Sequence, residues 1–87
     1  MVVILAGTPY EGEEYRKVAG LALADVLIPS SPSAFSGLVL RDSDLIVEFP
    51  SFDGHPKAGQ MRHLLKHRLQ RCGANPPWER GPLAVPE

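Results

Sequence analysis

Val2-Val3-Ile4-Leu5-Ala6-Gly7-Thr8-Pro9-Tyr10-Glu11-Gly12-Glu13-Glu14-Tyr15 changes its hydrophobic period at Gly7, and that change points to the fold class. Residues 2–6 are apolar on both faces, the pattern of a short strand covered on both sides, as in parallel sheets. Gly7-Thr8-Pro9 interrupts the run. From Glu11 onward Tyr15, Val18, Ala19 and Ala22 fall at i, i+3, i+4 and i+7, which is helical spacing. Glu11, Glu13 and Glu14 occupy the first turn, where acids suit the helix dipole. Glu13 is placed to pair with Lys17 four residues on.

Val26-Leu27-Ile28, bounded by Asp25 and Pro29, reads as a second strand, so residues 2–28 predict a right-handed βαβ unit. Ser31 and Pro32 carry helix-start chemistry, as N-cap and first helical residue. Ala34, Phe35, Leu38 and Val39 then predict a short helix, with a β-hairpin turning at Arg41-Asp42-Ser43-Asp44 as the rival reading. Leu45-Ile46-Val47-Glu48-Phe49 is a third strand ended by Pro50. Residues 57–71 predict the clearest helix, with Met61, Leu64, Leu65, Leu69 and Cys72 in one stripe and Gly73 as its stop.

The expected fold is α/β: a small Rossmann-like three-stranded parallel sheet, order 2-1-3, with about three helices. Residues 1–74 would form this domain. Residues 75–87, which hold Trp78 and four prolines, would be an extended Pro-rich tail whose Trp78 either folds back or docks on a neighbour.

Eighty-seven residues make one domain, with 44% apolar and 22% charged residues. So short a chain buries little surface alone, and two free sheet edges invite pairing, so a homo-oligomer or a protein partner is expected. The net charge of −1 gives no general attraction to nucleic acid or anionic lipid. A single cysteine, Cys72, fits a reducing compartment, and no apolar run reaches the ~18 residues of a membrane span. The apolar opening reads as a strand and not a signal peptide, which makes the cytoplasm the expected location.

Ligands of open α/β sheets bind outside the carboxyl ends of the strands. That rule collects Gly7, Thr8, Pro9 and Tyr10 after strand 1, Ser30 and Ser31 after strand 2, and Glu48, Asp53 and Gly54 at strand 3. Gly7 and Gly12 have P-loop glycine spacing, but Glu13-Glu14 stand where Lys and Ser/Thr are needed. The glutamates would repel a polyphosphate; they either cap a helix or accept hydrogen bonds from sugar hydroxyls.

Lys57, Arg62, Lys66, Arg68 and Arg71 give the last helix five bases and no acid, against three bases and eight acids in residues 1–56. This is either a solvated face or a surface for an acidic partner, to which Arg62, Lys66 and Trp78 would contribute. His63 and His67 have metal-ligand spacing on a helix, but no third ligand accompanies them, so no metal site or cofactor is expected.

Val3-Ile4-Leu5-Ala6-Gly7-Thr8-Pro9-Tyr10 resembles the opening of the nucleoside 2-deoxyribosyltransferase-like proteins, and Asp44-Leu45-Ile46-Val47 with Asp53-Gly54 is similar to that family's later strand and following loop. The resemblance covers about a third of the chain. It implies a Rossmann-like fold and a nucleoside or nucleotide-like ligand. Where the family has a catalytic glutamate opening a helix, this chain reads Gly54-His55-Pro56-Lys57-Ala58-Gly59-Gln60, and an amide at Gln60 cannot form the covalent glycosyl ester.

Ile46-Val47-Glu48, Gln60 and Cys72-Gly73-Ala74 also look like the tail of small restriction-type nucleases, with Asp25 as a first metal ligand. Pro50 replaces that fold's lysine. The reading that results is a non-catalytic binding module for a nucleoside or nucleotide-like molecule. Its alternatives are a protein-interaction or regulatory accessory protein, of the phage or mobile-element kind, and a metal-dependent nuclease.

Overall fold

The computed structural model describes residues 1–81. Within it, β1 (Val2–Leu5), α1 (Pro9–Val18), β2 (Val26–Leu27), β3 (Leu45–Glu48), α2 (Ala58–Cys72) and β4 (Trp78–Arg80) follow in chain order, with single 3-10 turns at Leu23–Asp25, Pro32–Phe35 and Pro50–Gly54. The sheet has four strands, order β2-β1-β3-β4, and every pairing is parallel. The α/β class and the 2-1-3 arrangement of the first three strands agree with the sequence reading.

β1 is central because it is apolar on both faces. Val3, Ile4 and Leu5 are fully buried, each worth about 1.5–3 kcal/mol of hydrophobic burial. Val3 and Leu5 point into a core with Phe35, Leu40, Ile46, Phe52, Met61 and Leu65. Ile4 and Ala6 point the other way, joining Val47, Phe49 and the half-buried Tyr15 of α1. Alternation along one strand thus builds a three-layer domain. α1 covers one face; the Pro32–Phe35 turn and α2 cover the other. Connections that reverse direction also change face, so the crossovers share one hand, as the strong right-handed preference requires.

Four expectations need correction. The sheet has a fourth strand where an extended tail was expected: Trp78–Arg80 pairs with β3 in register Ile46↔Trp78 and Glu48↔Arg80. Pro82 to Glu87 of that tail lie outside the described residues. Among the described residues there are two α-helices, not three, since Pro32–Phe35 makes one 3-10 turn that Gly37, at φ 72°, takes out of helical geometry. No hairpin replaces the expected helix; Val39 is exposed, while Leu40 is buried beside Phe35.

The fourth correction concerns α1, which ends at Val18, so of its expected apolar face only Tyr15 is packed. Val18 is 81% exposed. The contact side is instead Gly12 with Tyr15: a Cβ at residue 12 would come within 2.8 Å of Ile28, and Tyr15 meets Phe49 edge-on at 5.2 Å. Glu13 pairs with Arg16 and not Lys17, and that guanidinium holds the Glu13 carboxyl below its ordinary value. α2 agrees closely with its periodicity, burying Ala58, Met61 and Leu65 and ending on left-handed Gly73. No helix of the described residues is long and apolar enough to cross a membrane.

Candidate functional site

Two mouths open at the carboxyl end of the sheet, and they differ in how far the chain fills them. At the first, after β1, Thr8 caps α1 by accepting the Glu11 amide at 3.3 Å. The Gly7 amide donates to Ser51 Oγ at 3.2 Å, and that hydroxyl donates onward to the Glu11 carboxylate. A Cβ on residue 7 would sit 2.6 Å from the Ser51 carbonyl oxygen. Glycine is therefore required for the close approach of the Pro50–Gly54 turn, and this turn, not a ligand, takes the Gly7 amide.

The second mouth lies between β3 and β4. It is a cleft of about 370 Å³ lined by Glu48, Phe49, Pro50, Asp53, Arg62, Trp78 and Arg80. Register dictates its contents: Ile46 faces α2, so Glu48 two residues on does too, and β4 sets Trp78 and Arg80 on the same side. Arg62, one turn into α2, donates from Nε to Glu48 Oε2 at 2.8 Å and also bonds Asp53. Trp78 Nε1 donates to Glu48 Oε1 at 2.8 Å. The Arg62 guanidinium stands 5.0 Å over the buried Phe52 ring. The hydrogen bonds that Arg62 donates to Asp53 and to Glu48 raise its pKa, against the burial that would lower it.

These contacts are unequal. Asp53 is 76% exposed in its side chain, so its pairing is worth about 0.5 kcal/mol or less. Glu48 is 22% exposed and has both carboxylate oxygens engaged. A carboxylate so occupied is a structural bridge between β3, β4 and α2, not a free nucleophile.

Of the residues expected at the site, Glu48 and Asp53 come together, joined by Arg62 and Trp78 from the expected interaction set. Gly7, Thr8 and Pro9 lie at the filled mouth, and Tyr10 is 74% exposed outside it. Ser30 and Ser31 follow the edge strand β2; the Ser31 and Ser33 hydroxyls bond each other at 2.8 Å. Gly54 ends the turn that carries Asp53. Lys66 is exposed on the outward face of α2, away from the cleft. Sequence reasoning missed Phe49, Pro50 and above all Arg80. Connectivity leaves room for a parallel strand after a helix that stops at Gly73, but nothing local marks which residues form it.

The nuclease metal pair is not assembled. Asp25 precedes Val26, which is level with Val2, whereas Glu48 is level with Leu5. At about 3.3 Å per residue the two stand roughly 13 Å apart along the strands, too far for one ion. Among the described residues no group of three or more His, Cys, Asp or Glu side chains is placed to hold a metal.

Fold and cleft together define a small parallel α/β domain with a polar pocket at its strand ends. Compared with known proteins, this chain matches no family model, no curated protein and no solved structure.

Proposed function

We propose that this chain is a non-catalytic binding domain for a nucleoside or nucleotide-like small molecule, held in the β3–β4 cleft. The observation that carries this reading is the cleft itself: about 370 Å³ at the carboxyl ends of parallel strands, with an indole, a proline ring and an exposed carboxylate on its walls. That size falls in the roughly 300–1,000 Å³ range of small-ligand pockets. Trp78 and Pro50 offer apolar surface to a base, and Asp53 accepts hydrogen bonds from sugar hydroxyls or exocyclic amines. The occupied oxygens of Glu48 favour binding over chemistry.

Trp78 supplies the test, because its indole lines the cleft. Titration of the protein with nucleosides and nucleotides should change its fluorescence, and a ligand at about 100 times its Kd should add roughly 2.7 kcal/mol, seen as several degrees of Tm. No response in either measurement across the panel sinks the reading.

A second reading has its own observation. His63, Lys66, His67 and Arg71 are exposed together on α2, and no acid occurs between Asp53 and Glu79. A partner-binding module would use this face against an acidic protein surface, and charge reversal at Lys66 and Arg71 would abolish capture while leaving ligand titrations unchanged.

A further inference from the structure

The cleft holds several polar groups, but most of their capacity is already spent. Both oxygens of Glu48 are bonded, the Trp78 N–H is bonded to one of them, and Arg62 is shared between Glu48 and Asp53. Beyond Nη1 of Arg62, two groups retain capacity. Asp53 engages only Oδ1, leaving Oδ2 to accept. Arg80 lines the same cleft, and none of its donors has a partner among the described residues.

The register explains why Arg80 is left over. It lies directly across from Glu48 on the same face, the natural place for a cross-strand ion pair. Arg62 and Trp78 have taken that carboxylate from the helix side and from β4 itself. Gly81 holds the strand end in place by donating its amide to the Glu48 carbonyl at 2.8 Å, so the backbone carrying Arg80 is anchored while its guanidinium remains unpaired among the described residues.

Resting on the small-molecule reading above, we infer that the ligand carries an anion: it is a nucleoside monophosphate, with phosphate on Arg80, base against Trp78 and Pro50, and a hydroxyl or amine donating to Asp53. An unpaired guanidinium fork matches phosphate oxygens two at a time. A single such residue suits one phosphate and not a polyphosphate. A neutral nucleoside leaves the guanidinium unused and forgoes the strongest contact the cleft offers.

The experiment is calorimetric titration of the full chain with ribonucleosides, their 5′-monophosphates and inorganic phosphate, repeated on Arg80→Gln and Arg80→Lys. Arg80 is exposed, and circular dichroism checks that each variant keeps the fold. The monophosphate should bind about tenfold or more tighter than its nucleoside, from a charge-assisted bond of ordinary strength. Arg80→Gln should erase that difference, and Arg80→Lys should restore part of it. Equal affinity for nucleoside and monophosphate, or no effect of Arg80→Gln, overturns the anion assignment and leaves the binding-domain reading standing. Inorganic phosphate binding as tightly as the monophosphate overturns the base contact. If neither nucleoside nor monophosphate binds, both this inference and the function it rests on fail.

Discussion

At the mouth beside β1, one turn of the chain approaches so closely that only glycine fits at residue 7, and Ser51 takes the amide that an anion would have used. At the mouth beside β4 the same turn does the opposite: Phe52 is buried beneath Arg62 and Asp53 leans outward, leaving a lined cleft. Three consecutive residues, Ser51, Phe52 and Asp53, thus fill one site and furnish the other. The contrast teaches that strand-end geometry marks where sites arise, while loop packing selects which of them stays open. It also moves the candidate ligand position by one strand from where the L-A-G-T-P opening had placed it.

Phe52→Ala should break the comparison most severely, because that ring supports both mouths. Truncating a fully buried phenylalanine costs about 3–5 kcal/mol, a large share of the roughly 5–15 kcal/mol available to a small domain. Urea denaturation should show this loss, and ligand titrations should weaken as well, because the turn that carries Asp53 loses its anchor in the core. Gly7→Ala comes next, at about 1–3 kcal/mol, since the new methyl group meets the Ser51 backbone and forces the turn away. Its informative readout is Trp78: a stability loss with unchanged fluorescence keeps the mouths independent, whereas a spectral shift shows that the turn couples them.

The smallest effect sharpens the comparison from the far end of the sheet. Asp44, before β3, is buried and resists its own ionisation on that account. The Met1 ammonium at 2.9 Å and the Arg41 amide at 2.8 Å outweigh this, and its pKa lies below the ordinary value. A depressed folded pKa means stability that is present above the unfolded value and lost as pH falls through the folded one. Asp44→Asn should cost about 1 kcal/mol at neutral pH and flatten the acid limb of a stability–pH curve below about pH 4. An unchanged acid limb would show that the Asp44 pairing contributes nothing to it.

Much of this architecture was legible in the linear chain. Residues 2–6, apolar without alternation, require cover on both faces, and that makes β1 the middle strand. The stripe of Met61 and Leu65 and the stop at Gly73 locate α2, because helical periodicity states which face is buried. α1 was harder: its contact with the sheet runs through a glycine, which no hydrophobicity pattern records, so Val18 looked like core and is solvent-exposed. The site was legible by halves. Glu48 and Asp53 followed from the strand-end rule, but their partners Arg62 and Trp78 lie 14 and 30 residues from Glu48, and only the folded chain brings them together.

What the sequence determined by itself is the alternation of strand and helix and the order of the first three strands, since both rest on local periodicity and chain connectivity. The tertiary structure decided that Trp78–Arg80 is a strand at all. Three residues after two prolines have too little pattern to declare themselves, and their strand geometry comes from the backbone of β3. It also decided which mouth stays open, because the approach of Ser51 to Gly7 depends on how the turn between β3 and α2 settles over the core.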